Sequence, residues 1–487
     1  MTFPRLVTLL VFLGLLTLVI SAPVVDTDTW WHLRSGAWMV EHRDVLRADP
    51  FSYTRLGVPW TNPNWLPQIA MYRVHEWFGL TGLSLFTALF VLIGFFFVWR
   101  LLEGPVLLRA AVLLLAATAC AIYWSARPQI VSFALTGVFL YLLEKARRGE
   151  RRLLWVMPPL MALWVNVHGG FAIGFLLAAA YLAGEALGAL LDVWSAGRTW
   201  REAWAGRGKA ILGFGGAALG CLLLSGLNPF GYRLLAYPFQ TVSIDILRSS
   251  IQEWQSPDFH DLRAQAFLWV VLLTWAALAL SQRERSATEF VSALGFFFLG
   301  FLAWRNIPLA VLVAAPILSR HGASALGRLR TGESMRRDLP ERTTRRVNAI
   351  LLLVLFAAAA VQIARSLTPA AQQRAAEAQV PAEAVATLLE KRPAGELFHS
   401  YNWGGYLLWR AFPAYRTFAD GRTDVFDDEV LREYLRTWNA QPGWEDVLDR
   451  WDIRVALIEV QAPLTVALRE AGWHVEYQDE RAVLLTR

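Results

Sequence analysis

Apolar runs of about 17 to 22 residues recur along this chain, each long enough to cross roughly 30 Å of hydrocarbon at 1.5 Å per residue. Eleven are placed at about 4–23, 80–99, 105–124, 128–144, 153–167, 170–192, 210–227, 265–280, 288–304, 306–319 and 347–364, the fifth, ninth and tenth being the weakest. Two connections, 24–79 and 228–264, are far longer than the rest, and long loops in a chain of otherwise tight turns carry function. Beyond residue 366 the period changes. Apolar stretches of strand length at 396–399, 416–419, 454–459, 473–478 and 481–486 alternate with helical spacing at 382–391, 403–411, 427–438, 444–451 and 463–471, the pattern of a small α/β domain. The expected organisation is a transmembrane domain over 1–365 followed by an α/β domain over 366–487. There is no internal repeat.

Composition turns that pattern into a class. Of 487 residues, 55% are apolar and 18% charged, against about 25% charged in ordinary soluble domains, and the mean hydropathy is +0.37. Single cores stop growing near ~250–300 residues, so a bilayer must solvate much of this surface. The 23 Trp agree, since indole favours the membrane interface. With the N-terminus inside, the inner connections carry 22 Lys and Arg and the outer ones ten, which predicts N-in and C-out with a basic cytoplasmic linker at 320–346. The first run read alone is also compatible with a signal peptide cut near Ser21-Ala22; its length favours an anchor. The net charge of +6 resides mostly in short loops, which excludes nucleic acid as the natural partner. Cys120 and Cys221 lie inside apolar runs and offer neither a disulfide framework nor a metal site.

Three clusters carry candidate chemistry. After the first span comes Asp26-Thr27-Asp28-Thr29-Trp30-Trp31-His32-Leu33-Arg34. Paired carboxylates suit a hard divalent cation, Mg or Mn, beside a phosphate; Asp28 or Thr29 equally suits the N-cap of an interfacial helix anchored by Trp30 and Trp31. In Ser250-Ile251-Gln252-Glu253-Trp254-Gln255-Ser256-Pro257 the lone acid is a further oxygen ligand or a residue of a solvated turn. Ser400-Tyr401-Asn402-Trp403-Gly404-Gly405-Tyr406, followed by Asp420-Gly421-Arg422-Thr423-Asp424, offers aromatic faces and close backbone approach, or a helix start packed under the sheet. His168 of Asn166-Val167-His168-Gly169-Gly170 is a phosphate or metal ligand or a turn residue. Arg127 and Arg305, at outer span ends, suit a lipid phosphate or ordinary headgroups.

Together these motifs resemble the GT-C class of integral membrane glycosyltransferases, with the oligosaccharyltransferase catalytic subunit as the nearest echo. Asp28-Thr29-Trp30-Trp31-His32-Leu33-Arg34 is similar to that family's first external Asp motif. The 250–257 segment is similar to its SVxEHQP-like element, which carries the family's Glu to Glu253. Tyr401-Asn402-Trp403-Gly404-Gly405-Tyr406 partly echoes its WWDYG motif, without the Asp, and Trp124-Ser125-Ala126-Arg127-Pro128-Gln129 lacks its second acidic pair. The chain also resembles bacterial GT-C-like membrane proteins bearing DxDxWWH, NxHGG, NPxG and WGGYL motifs. The resemblance implies a multi-pass protein of the bacterial cytoplasmic membrane with its site facing outside. It would move a sugar from a polyprenyl-phosphate-type carrier to a glycan, lipid or protein acceptor, among membrane lipids. Asp28 and Glu253 would be catalytic and Asp26, Asp28 and Glu253 would hold a metal. Arg127, His168 and Arg305 would meet the donor phosphate, with His32, Trp403, Gly404 and Tyr406 on the acceptor side. The competing class is a transporter or envelope-glycan assembly factor with a GT-C-like body. A transporter should carry ionisable groups near the midplane of its spans, whereas Glu185 and Asp192 lie toward one end of theirs.

Overall fold

The structure, a computed structural model, describes residues 2–22, 25–244, 251–329 and 341–487. Up to Ser366 it is helical, beginning with α1 (Phe3–Ser21), α2 (Thr29–His42), α3 (Trp65–Trp99), α4 (Val106–Cys120), α5 (Gln129–Arg147), α6 (Met157–Trp164), α7 (Ala172–Trp194) and α8 (Trp200–Leu224). Among the described residues nine helices are long and apolar enough to cross a membrane: those containing α1, α3, α4, α5, α7 and α8, then Leu262–Leu280, Trp304–Gly327 and Arg346–Ser366. Ala287–Leu302 is apolar but shorter. The run expected at 153–167 is a 3₁₀ turn, Arg151–Val156, leading into the eight-residue α6. Pro158 and Pro159 explain the break, because proline supplies no N–H to continue the preceding turn. Length and composition alone thus mark nine of the described helices as candidate spans, against the eleven apolar runs expected.

α5 is the most enclosed of these helices. It crosses α3 where Gly137 faces Gly94, and a Cβ on Gly137 would lie 2.7 Å from Gly94 O; small residues permit such close backbone approach between apolar helices. Leu89, Phe96, Leu114, Leu212, Leu223, Phe298 and Phe356 point outward, a rim that only hydrocarbon solvates cheaply. α3 breaks at Gly79 (φ +60), so the run read from residue 80 is the second half of a longer helix.

One end of the bundle is closed by ion pairs. Arg320 contacts Glu103, Glu144 and Glu289, while Arg148 joins Glu103 to Glu144 and Arg283 reaches Glu103. The linker expected from residue 320 is therefore helical at its start: the helix Ile307–Leu329 carries Arg320 and His321 inside, and helix resumes at Glu341. Residues 330–340 of that linker, and residues 245–250 of the second long connection, lie outside the described residues.

At the opposite end sits a four-stranded sheet ordered β1 (Glu396–His399), β2 (Ile453–Glu459), β4 (Ala482–Thr486), β3 (His474–Gln478), with β1 parallel to β2 and the other pairs antiparallel. The expected strand at 416–419 is not part of it. Thr417 N–H donates to Phe51 O and Tyr53 N–H donates to Thr417 O, both at 3.2 Å, so this stretch pairs with the first long connection instead. Arg422, fully buried, completes the joint by bridging Asp420 and Asp49 beneath the rings of Phe51 and Trp60.

Candidate active site

Three carboxylates remote in sequence meet at this end around one guanidinium. Arg127 lies in the turn between α4 and α5. Its Nε is 3.1 Å from Asp26 Oδ2, its Nη1 2.7 Å from Asp28 Oδ2 and its Nη2 2.6 Å from Glu253 Oε1. The structure thus brings Asp26, Asp28, Glu253 and Arg127 together. Arg127 is only 13% exposed, whereas Asp28 is 26% and Glu253 43% exposed, so the cluster opens to a ligand from the carboxylate side.

The two aspartates divide the work that sequence leaves ambiguous. Asp26 Oδ1 accepts from the N–H of Asp28, the N–H of Thr29 and the Thr29 hydroxyl, at 3.0–3.1 Å, and so closes the start of α2. Asp28 makes no capping bond; its Oδ1 accepts from Trp31 Nε1 at 3.1 Å. Trp30 and Trp31 are not interfacial anchors, for both are buried, Trp30 edge-on to Tyr406 and Trp31 beside His32.

Charge in the cluster is unevenly shared. Burial pushes the Asp28 carboxyl up to about 6; Arg127 opposes this, and Asp26 and Glu253 reinforce it. One guanidinium serving three acids cannot offset desolvation at each. At Glu253 burial also acts upward, but Arg127 and Arg305 together prevail and hold it below the usual carboxylate range. Arg305 stacks over Trp254 at 4.2 Å, and Trp304 N–H donates to Gln255 O at 3.1 Å, which fastens the Glu253 segment to the Arg305 turn.

His168 is close enough for both arginines to act on it. Burial, then Arg305 and Arg127, lower its pKa to about 3, so the ring is neutral. Its Nδ1 accepts from Gly170 N–H at 3.0 Å and from Ser132 Oγ at 3.1 Å, Ser132 itself accepting from Trp164 Nε1 at 2.7 Å. These partners fix the tautomer with the proton on Nε2, leaving one N–H for a ligand. His168 is both a turn residue and a preset donor.

The residues expected on the acceptor side are enclosed rather than open. His32 is 5% exposed and hydrogen-bonds Gln68 Nε2 at 3.0 Å beneath Trp31; burial, with Arg127 and His168, keeps it neutral. Trp403 and Tyr406 are buried, Tyr406 edge-on to Trp30 of α2, and Gly404 lies against Asp420 and His399. They dock the C-terminal region and form no open wall, because an aromatic stripe at helical spacing buries itself when a partner surface is present.

Residues that sequence did not single out individually border Asp28 and the His168 turn. Gly421 abuts Asp28, and a Cβ there would collide with its Oδ1. Tyr401 hydroxyl hydrogen-bonds Thr423 at 2.6 Å, and Asp424 accepts from Trp60 Nε1 at 3.1 Å and Tyr237 hydroxyl at 2.9 Å. Burial outweighs those two donors and raises Asp424 above the usual range. Tyr237 also faces the His168 turn, lying 2.7 Å from where a Cβ on Gly169 would stand. The Asp420–Asp424 motif was the available signal.

A divalent ion does not fit these residues as they stand. Each facing oxygen lies beyond a guanidinium nitrogen, hence roughly 4 Å from the guanidinium carbon, whereas such an ion draws its ligands to about 2.0–2.6 Å. Among the described residues no group of three or more His, Cys, Asp or Glu is arranged to hold a metal.

The class defined by fold is that of a helical bundle with an α/β cap over a carboxylate cluster. No protein-family model matches the sequence, and no curated protein matches it. Among solved structures it is similar to the apo oligosaccharyltransferase of Archaeoglobus fulgidus, with 12% identity, a TM-score of 0.54, and 92% of this chain and 70% of that one covered. It is also similar to the oligosaccharyltransferase AglB of that organism in complex with an inhibitory peptide and a dolichol-phosphate, with 11% identity, a TM-score of 0.55, and 94% and 69% covered. The chain has an oligosaccharyltransferase-like GT-C fold.

Proposed function

We propose that this protein is a multi-pass membrane glycosyltransferase that moves a sugar from a polyprenyl-phosphate-type carrier to an acceptor bound at the open, carboxylate side of the Asp28–Glu253 cluster. The observation that carries the reading is the Asp28 carboxylate, spared from capping by Asp26 and held by Arg127, whose guanidinium also meets Glu253 near Arg305 and His168. A structure of the same fold holds a dolichol-phosphate and a peptide, which supports a lipid-linked donor.

In this reaction the acceptor atom bonds to the anomeric carbon as the bond from that carbon to the phosphate oxygen breaks, and the phosphate leaves with the electron pair. Asp28 takes the acceptor's proton or orients its lone pair. Arg305 and the Nε2–H of His168 offset the charge growing on phosphate. The charged residues inside the bundle at the far end are paired with one another, as Arg320 is with Glu144 and Glu289, and Arg207 with Glu185, which favours a structural lock there over a transport path. We read the eleven apolar runs as an N-in, C-out arrangement in a bacterial cytoplasmic membrane, with the site outside.

The test is binding of a polyprenyl monophosphate to the purified full chain in nanodiscs, followed by transfer from a polyprenyl-linked sugar. Binding weakened by Arg305→Ala and turnover lost in Asp28→Asn are expected. Full turnover in Asp28→Asn overturns the reading.

A further inference from the structure

The site's cation is already part of the chain. Three facing oxygens, one from each of Asp26, Asp28 and Glu253, each meet a different nitrogen of the Arg127 guanidinium. The second oxygens of the two aspartates are engaged elsewhere, Asp26 Oδ1 at the start of α2 and Asp28 Oδ1 on Trp31. A planar fork of donors matches carboxylates spread around its rim, and guanidinium is weakly hydrated and stays charged when enclosed. The charges agree as well: three carboxylates face Arg127, Glu253 also lies in the field of Arg305, and His168 is neutral, so the cluster is within one unit of balance before any ion enters. The turn that carries Arg127, residues 121–128, contributes no carboxylate of its own. Arg127 is also held from behind, since its Nε lies 3.1 Å from Ser125 Oγ and its backbone N–H donates to Ser125 O at 2.8 Å.

We propose that the Arg127 guanidinium is the resident cation of this site, holding Asp26, Asp28 and Glu253 in one constellation in place of a divalent metal. Arg127 is then a positioning residue: it keeps Asp28 aimed and Glu253 docked without an ion that must bind and exchange. Any catalytic consequence rests on the glycosyltransferase reading; the identity of the cation does not.

The experiment separates the two. Mn²⁺ is titrated into the purified full chain in nanodiscs and bound ion is read by electron paramagnetic resonance, with thermal unfolding followed in parallel. The wild-type protein should leave Mn²⁺ free and unfold at the same temperature with EDTA or Mn²⁺. Arg127→Ala should gain one Mn²⁺ per chain, lost again in Arg127→Ala/Glu253→Gln. Wild-type Mn²⁺ binding that Glu253→Gln abolishes overturns the proposal, as does a folded Arg127→Ala that gains no ion. Should Arg127→Ala fail to fold, the wild-type titration and its Glu253→Gln control still decide. Turnover of a polyprenyl-linked sugar should persist in EDTA. Absence of turnover under every condition, with Mn²⁺ results as expected, counts against the glycosyltransferase reading alone.

Discussion

Gly421 and Asp28, 393 positions apart, touch so closely that a Cβ on Gly421 would run into Asp28 Oδ1 and stand 2.9 Å from Trp31 Nε1. The C-terminal region therefore reaches the Asp28 cluster directly, and glycine is needed there for space. Gly421→Ala should displace the Asp28 carboxylate or its Trp31 partner. Misplacement of about 1 Å costs on the order of 100-fold in rate. The buried Arg422 next to it holds the backbone, so turnover should fall by that order with little change in melting temperature, measured on the same preparation.

Asp26 and Asp28 should separate cleanly. Asp26→Ala removes the acceptor for two backbone N–H groups at the start of α2 and should lower stability by about 0.5–2 kcal/mol. Asp28→Asn keeps the shape and makes no change to capping, so at neutral pH it should be no less stable than the wild type while losing roughly 10²–10⁴ in turnover, the usual worth of a positioned acid–base group. Denaturation and initial-rate measurements on both variants check this, and the reverse assignment would return Asp28 to a capping role.

The raised Asp28 pKa gives a signed pH dependence. With the carboxyl at about 6, the ionised form needed to accept a proton is lost as pH falls through about 6, and the rate should drop about tenfold per unit below it. The linked stability effect has the opposite sense. Between the unfolded value near ~3.9 and about 6 the native state holds a proton that the unfolded chain has released, so this group's contribution to stability declines as pH rises through that window. Rates over pH 4.5–8, about the range needed to bracket that value, should show the inflection, provided the fold persists, and a single-turnover profile of Asp28→Asn should lack it.

Topology is open to a direct test. The inner connections hold 22 Lys and Arg against ten in the outer ones, which predicts a cytoplasmic signal from a reporter fused after Arg346 and an extracytoplasmic one after Arg487. Both reporters on one side would remove the eleven-run arrangement and the outward site with it.

How far the sequence could be read depended on the range of the interactions involved. The strands at 396–399, 454–459 and 481–486 and the helix at 382–391 follow local periodicity and lie within a residue or two of expectation. The stretch 416–419 has the same apolar character but is no strand of that sheet, because its partners are Phe51 and Tyr53, invisible to any local pattern. The Asp-x-Asp motif marked the place but not the roles, since either acid could cap α2 until the Asp26 hydrogen bonds are seen. Arg127 read singly as a phosphate or headgroup contact; its three carboxylates lie 99, 101 and 126 positions away. Trp403 and Tyr406 fall on the acceptor side only through the motif resemblance; which surface covers them is a long-range contact that no local pattern reveals, and in the structure both are buried.

The joint between the C-terminal region and the helical part turns on Arg422. It is fully buried with Asp420 and Asp49, its Nε donating to Asp420 Oδ1 at 2.8 Å and its Nη2 to Asp420 Oδ2 at 2.7 Å, while Nη1 reaches Asp49. Removing one partner of such a group leaves the other charges enclosed without compensation, a loss of about 3–5 kcal/mol, whereas replacing the whole set by neutral residues of similar volume is often close to neutral. Arg422→Met should therefore lower the melting temperature sharply and expose the segment around 416–426 to limited proteolysis. Adding Asp49→Asn and Asp420→Asn should restore most of that loss, because no buried charge then lacks a partner. A single variant as stable and protease-resistant as the wild type would mean that the aromatic contacts of Trp30 with Tyr406 and Tyr53 with Phe418 hold the joint without the ion triad.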